Sequence, residues 1–292
     1  MRPWSLLAVA SLVLCWTAAG RAHPPVRAAA PAWSEVYPNV RADLAAGRPL
    51  VIHVTVPLCD NAALDCGASW AGQPGRLETN LYWGAIFGAR RIFERPRSAW
   101  TRDELSKGDA VLLERAVYRR SVPARLWGLD AAAPIEQLVV LQAVHGAHID
   151  RALRELWTRA TAGSELEIGD GETKRRVRVH VAGYAGHNRL MDGVALPRLD
   201  AKAERAPVAS FVLACYSDRY FTEPLERAGS TNLVSTSAFM APEGYLIDAV
   251  ARGLGDNLDE RALTEQVIRT YAAWQRISVG QARWVFRARR RR

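Results

Sequence analysis

Val177-Arg178-Val179-His180-Val181-Ala182-Gly183-Tyr184-Ala185-Gly186-His187-Asn188 and, after residues 189–207, Val208-Ala209-Ser210-Phe211-Val212-Leu213-Ala214-Cys215-Tyr216-Ser217 share one grammar. Each is an apolar run that empties into a short loop carrying a residue able to do acid–base or nucleophilic chemistry. Val208 to Ala214 is apolar almost throughout, the pattern of a strand covered on both faces. The segment Arg176 to Val181 instead alternates, which predicts a strand with one less covered face. If the two strands are parallel neighbours, His187 and Cys215 emerge together at the carboxyl edge of the sheet. There a histidine can take the thiol proton and leave a thiolate nucleophile.

Working outward, the same switch between buried strands and amphipathic helices recurs along the chain, and this predicts an α/β fold with a mostly parallel sheet of five to six strands and helices on both faces. The strands are Leu50 to Val56, Gln137 to Val144, Arg176 to Val181, Val208 to Ala214 and Leu233 to Met240, with Glu114 to Arg120 as a possible edge strand. Helical stripes run through Ile149, Ala152, Leu153, Leu156, Trp157 and Ala160 up to Gly163, through Tyr245, Leu246, Ala249 and Val250 behind Pro242 and Glu243, and through Leu263, Val267, Tyr271 and Trp274. Thr79 or Asn80 is placed to cap a further helix from Leu81. No linker interrupts residues 23–286, so a single domain is the expectation.

The first 22 residues carry Arg2, an uncharged run from Pro3 to Gly20, Arg21 and Ala22, which is the order of a secretory signal peptide. An exported, periplasmic or secreted protein is therefore expected, without stable membrane insertion once the signal is removed. Losing Arg2 and Arg21 lowers the formal charge from +9 to +7. Only Lys107, Lys174 and Lys202 among the 39 basic residues are lysines, and an Arg- and Ala-rich make-up of this kind reads as GC-rich codon usage rather than as phosphate recognition, so no nucleic-acid partner is expected. Residues 287–292 form a basic tail, with arginine at 287 and 289–292, expected to remain solvated and disordered.

Without Cys15, the exported chain keeps Cys59, Cys66 and Cys215, an odd number in an oxidising compartment. Cys59 and Cys66 lie close together in a loop rich in Gly and Asn that can fold back to bridging distance, which leaves Cys215 free. That loop, Pro57 to Glu78, has no periodicity, is longer than an ordinary connection and follows a strand, so it reads as a binding loop. Asp60 and Asn61 are its candidate substrate contacts, with Gly186 and Asn188 beside the histidine. Asp60 and Asp192 are also placed to meet a basic substrate side chain. His145, His148 and Asp150 have a spacing a metal can use but lack a further partner, and Asp150 suits the first turn of a helix; no metal or cofactor is expected. Tyr82, Trp83 and Phe87 read as core.

The order strand, Gly, His, then strand, Ala, Cys resembles the caspase-like cysteine peptidase superfamily. The resemblance covers about Val177 to Ser217 and implies peptide-bond hydrolysis with Cys215 as nucleophile, His187 as general base and acid, and an oxyanion hole that includes the Cys215 amide. Asn188 stands where that pattern has glycine, and Gly186 precedes the histidine. Pro57-Leu58-Cys59-Asp60-Asn61, Thr79-Asn80-Leu81-Tyr82-Trp83-Gly84-Ala85, Leu190-Met191-Asp192 and Met240-Ala241-Pro242-Glu243 are similar to phrases in a group of exported bacterial proteins without an assigned activity. The expected function is thus an exported protein with a caspase-like fold and a Cys–His hydrolase site acting on a peptide or protein. The alternative is a non-catalytic periplasmic binding module that uses the 57–78 loop as its contact surface.

Overall fold

The computed structural model describes residues 33–130, 133–169, 171–199 and 205–286; the predicted signal peptide and the basic tail lie outside them. Eight strands occur among the described residues: β1 (Leu50–Pro57), β2 (Thr101–Lys107), β3 (Leu112–Val122), β4 (Ile135–Val144), β5 (Glu165–Ile168), β6 (Arg175–Arg178), β7 (Val181–Ala185) and β8 (Ala209–Leu213). The helices are α1 (Pro38–Ala45), α2 (Ala89–Phe93), α3 (Ile149–Ala162), α4 (Glu223–Arg227), α5 (Gly244–Gly255), α6 (Glu260–Gln275) and α7 (Val279–Val285). Six strands form one sheet in the order β2-β3-β4-β1-β7-β8, and β5 pairs with β6 alone. The run β4-β1-β7-β8 is parallel, whereas β3 is antiparallel to both β2 and β4. The α/β sheet is therefore mixed but mostly parallel, as its apolar runs predicted.

Every residue of β1 is buried, because helices cover one face and α3 with the β5–β6 hairpin cover the other. Leu50, Ile52, Val54 and Val56 point to the α5 and α6 side, while Val51 meets the hairpin residues Ile168, Val177 and Val179. A strand buried on both faces has no reason to alternate, which is why β1 and β4 read as continuous apolar runs. The α3 stripe Ala152, Leu153, Leu156, Trp157 and Ala160 is buried, and Gly163 (φ +76°) ends the helix with its N–H on the Arg159 carbonyl.

Four expectations are corrected. The predicted strand Arg176 to Val181 is two strands: the Arg-Val alternation belongs to the hairpin strand β6, and at His180, whose N–H donates to the Val51 carbonyl, the chain crosses into the main sheet as β7. Strand β7 runs on through Gly183-Tyr184-Ala185, where a Cβ on Gly183 would lie 2.4 Å from the Phe211 ring of β8. Glycine there serves close strand packing, not a turn. Leu233 to Met240 is not a strand; the chain follows β8 only around the Ser210–Asn232 bridge and the Val212 N–H to Val234 carbonyl bond, then is drawn off by Ser217 and Asp218. The stretch Glu114 to Arg120 lies inside β3, which is covered by β2, a strand too polar to announce itself. The helix from Leu81 does not form: Asn80 is fully buried, and α2 begins only at Ala89.

Candidate functional site

Strands β7 and β8 are parallel neighbours with Ala185 opposite Leu213, so His187 and Cys215 each stand two residues beyond a matched pair. This adjacency is reached although residues 189–199 and 205–208 contain no helix. The last ladder bond runs from the Gly186 N–H to the Leu213 carbonyl at 3.2 Å. A continuing parallel ladder would next join the Cys215 N–H to the Gly186 carbonyl and the Asn188 N–H to the Cys215 carbonyl. Neither bond exists among the described residues. The Asn188 side chain intervenes: Nδ2 donates to the Cys215 carbonyl at 2.6 Å, and Oδ1 accepts from the Leu190 N–H at 3.0 Å. Asn188 is fully buried, so one carboxamide ties the histidine loop to the cysteine loop, and neither backbone N–H has a partner among the described residues.

His187 is held at both ends. Its carbonyl accepts the Tyr184 hydroxyl at 2.7 Å, and Nε2 meets Asp192 Oδ2 at 2.7 Å. Asp192 also accepts from Arg189 Nη1 at 2.6 Å, and Arg189 Nε donates to Asp150 Oδ1 at 2.8 Å. Partial burial would raise the Asp192 carboxyl, but the His187 and Arg189 bonds outweigh it and hold it below its ordinary range. With Nε2 committed to a carboxylate, the favoured neutral tautomer carries its proton there and leaves Nδ1 as the basic nitrogen. Gly186 lets this loop approach β1, since a Cβ would lie 2.4 Å from Pro57 Cγ.

Cys215 is half-buried and unpaired, as the cysteine count predicted. Its Sγ donates to the Met240 carbonyl at 3.4 Å and accepts the Met240 N–H at 3.5 Å. Tyr216 follows with φ +49°, a conformation that costs a side-chain-bearing residue about 1–2 kcal/mol and marks a place where the surroundings dictate backbone shape. Those surroundings are the Tyr216 N–H bond to the Ala238 carbonyl, the edge-on contact of its ring with Phe239 at 4.8 Å, and Ser217 Oγ bonded to the Val212 carbonyl. One π-helical turn, Asp218–Thr222, then leads into α4. Such turns are rare and gather at functional sites.

Two tyrosines, Tyr82 and Tyr271, feel the charges of both Cys215 and Glu243. Burial, then the charges of Cys215 and Glu243, push Tyr82 up to about 12, and Tyr271 is raised by burial and by the same two neighbours. Tyr82 belongs to the core, as its sequence context predicts. Glu243 does precede α5, but it caps no N–H; its Oε2 accepts from the Tyr245 hydroxyl and from Gln275 Nε2.

The remaining candidates sit in other loops. Cys59 and Cys66 form the expected disulfide, with Cα atoms 6.1 Å apart. Asp60 makes an Asx-turn with the Ala62 N–H and packs against Gly146. Asn61 spends its carboxamide inside the loop, accepting from the Cys66 N–H and donating to the Ser69 carbonyl. No hydrogen bond among the described residues joins Asp60 or Asn61 to His187, Asn188 or Cys215. His145 accepts the Ala147 N–H in a short turn, its ring meets that of His148 edge-on at 6.0 Å, and Asp150 pairs with Arg189. Comparison of the chain with protein-family models, with curated proteins and with solved structures finds no match in any of the three.

Proposed function

We propose that this chain is an exported cysteine hydrolase of the peptidase type, built on a caspase-like sheet. The observation that carries the reading is the matched emergence of His187 and Cys215 from neighbouring parallel strands, with Asn188 binding one loop to the other. The disulfide is consistent with an oxidising compartment, and among the described residues no helix is long and apolar enough to cross a membrane.

In this mechanism His187 Nδ1 takes the Cys215 proton as the sulfur attacks the carbonyl carbon of a peptide or protein substrate. Charge developing on the carbonyl oxygen meets the unspent N–H groups of Cys215 and Asn188, so asparagine in place of glycine does not remove the donor. The imidazolium, steadied by Asp192, returns the proton to the departing amine, and water then cleaves the thioester with His187 again as base. A second reading, a non-catalytic binding module, is favoured by the Met240 backbone satisfying the thiol at rest.

Iodoacetamide at pH 6.5 separates the two, because an ordinary thiol with pKa about 8.5 is roughly 1% thiolate there. The hydrolase reading expects Cys215 to be labelled well above that background, no label in Cys215→Ala, and slower labelling in His187→Ala. Labelling at the rate of a free thiol sinks it. Export is checked by mass spectrometry of protein from the native cell, which should find an N-terminus near Arg21 or His23.

A further inference from the structure

Arg189 spans two elements. Its Nε donates to Asp150 Oδ1 at 2.8 Å in the first turn of α3, and its Nη1 donates to Asp192 Oδ2 at 2.6 Å on its own loop. The same Asp192 oxygen meets His187 Nε2 at 2.7 Å. A guanidinium and an imidazole therefore share one carboxylate oxygen, and a second carboxylate backs the guanidinium.

The two ends of this series of contacts differ in firmness. Helix α3 is fixed: Ala152, Leu153 and Leu156 are buried on the sheet, and Arg159 Nη1 donates to Thr55 Oγ1 on β1 at 3.2 Å. The main chain of the histidine loop is fixed as well, by the Asp192 N–H on the Arg189 carbonyl and the Met191 N–H on the Asn188 carbonyl. The Asp192 side chain is 37% exposed and, among the described residues, bonds only to His187 and Arg189. An exposed carboxylate has several rotamers open to it, and an isolated surface ion pair restrains it weakly. Asp192 therefore orients the ring only as firmly as it is itself held. Arg189 carries the rigidity of α3 to it, because a planar guanidinium pinned along two directions has less freedom than one in a single pair. Charge points the same way. Asp150 cancels Arg189, so this strut adds no net charge, and Asp192 keeps its own for the imidazolium that forms when His187 takes a proton.

We propose that Arg189 is a positioning residue for the reaction of His187 with Cys215: seated on Asp150 of α3, it fixes the Asp192 carboxylate that orients the imidazole. The inference rests on the hydrolase reading for the reaction it serves, and on the observed hydrogen bonds for the holding of the ring. Asp150 bonds to neither Asp192 nor His187 among the described residues and acts only through Arg189. An ordinary surface ion pair would leave the histidine ring indifferent to both residues.

Nitrogen-15 spectra of the histidine rings in the full chain read the ring directly, with the His187 signal assigned by its loss in His187→Gln, and iodoacetamide labelling of Cys215 at pH 6.5 reads the reaction. In the parent chain the His187 Nε2–H, held on Asp192, should exchange slowly with water. Arg189→Met should speed that exchange and slow labelling, each by about tenfold. Arg189→Lys keeps the charge but engages a single carboxylate, so it should recover only part of either effect. Asp150→Ala should cost about threefold in labelling by itself and nothing further in the Arg189→Met background, because the strut is then already broken. Ring exchange unchanged in Arg189→Met overturns the inference, as do losses from Asp150→Ala and Arg189→Met that simply add. The parent labelling rate separates this result from the hydrolase reading. Ring exchange that depends on Arg189, with a parent thiol no faster than a free one, keeps Arg189 as the residue that orients His187 and removes the hydrolase. Fast parent labelling that Arg189→Met leaves unchanged keeps the hydrolase and overturns the positioning role.

Discussion

Asn80 and Asn188 perform the same operation at two cysteines. Each accepts the N–H two residues ahead, Tyr82 or Leu190, and each donates Nδ2 to a cysteine carbonyl, Cys59 or Cys215. Asn80 goes further and also accepts the Cys59 N–H, and its cysteine is closed by a disulfide. Around Asn188 the corresponding sulfur is free and half-buried, and the Asn188 and Cys215 backbone N–H groups have no partner among the described residues. One device thus makes a rigid wall after β1 and an unfinished junction after β7 and β8. Chemistry needs the second: a site must be held in place and still have unused hydrogen-bonding capacity.

The comparison is most exposed to failure at Asn80. Asn80→Ala strips partners from two buried Cys59 backbone groups and should cost about 3 kcal/mol in urea unfolding, because each orphaned group costs roughly 1–3 kcal/mol. A cost near zero would mean the wall is held by the disulfide alone. Replacing Cys59 and Cys66 with serine should cost about 2–3 kcal/mol for so short a loop, while Cys215 labelling changes less than about twofold. A large change in labelling would show that wall and junction are one unit.

Acid should loosen the strands under both loops. His53 on β1 is fully buried, its ring nitrogens lacking a well-formed hydrogen bond among the described residues, and burial, then the Arg159 charge, hold it well below its ordinary 6.5 with Gln142 opposing. His180, next to β7, is lowered by burial, with Asp43 opposing. The unfolded chain then binds the extra protons. Stability is fully present above about pH 6.5 and is lost as pH falls toward the folded values, by about 1.4 kcal/mol from His53 between pH 7.5 and 5.5 and by a smaller share from His180. Urea midpoints at the two pH values measure it, and His53→Leu should flatten most of the difference.

The smallest expected stability effect carries the sharpest functional signal. Asn188→Ala should cost only about 1 kcal/mol, because water can reach the half-buried end of the cysteine loop and take over the carbonyl. Labelling of Cys215 at pH 6.5 should nonetheless fall severalfold as the two loops lose their register. An unchanged rate would make Asn188 a purely structural residue, equivalent to Asn80.

Much of this was legible in the chain, and the reasons for the rest are physical. Strands buried on both faces declared themselves by apolar runs, and α3 by its stripe and Gly163. Strand β7 was hidden because Gly183 yields its volume to Phe211, so a central strand reads as a loop. Strand β2 was hidden because an exposed edge carries charge. The loop positions of His187 and Cys215 followed from strand ends, but Asn80 was read as a helix cap because its reach to Cys59 spans a fold the sequence does not display. Asp192 was a candidate for a substrate's charge and instead faces His187. Glu243 gave no signal beyond its place before a helix, since its bonds to Tyr245 and Gln275 depend on how α5 and α6 pack.

The π-helical turn after Cys215 has a consequence for how such chains diverge. Asp218–Thr222 accommodates one more residue than an α-helical turn of the same span. Losing a single residue there would restore α-helical winding and rotate whatever lies on its N-terminal side by about 100° relative to α4. Either α4 turns, or the bonds of Tyr216 to Ala238 and of Cys215 to Met240 must break. The aim of the thiol is therefore encoded in a residue count, so a relative could preserve every side chain named above and still point its cysteine elsewhere.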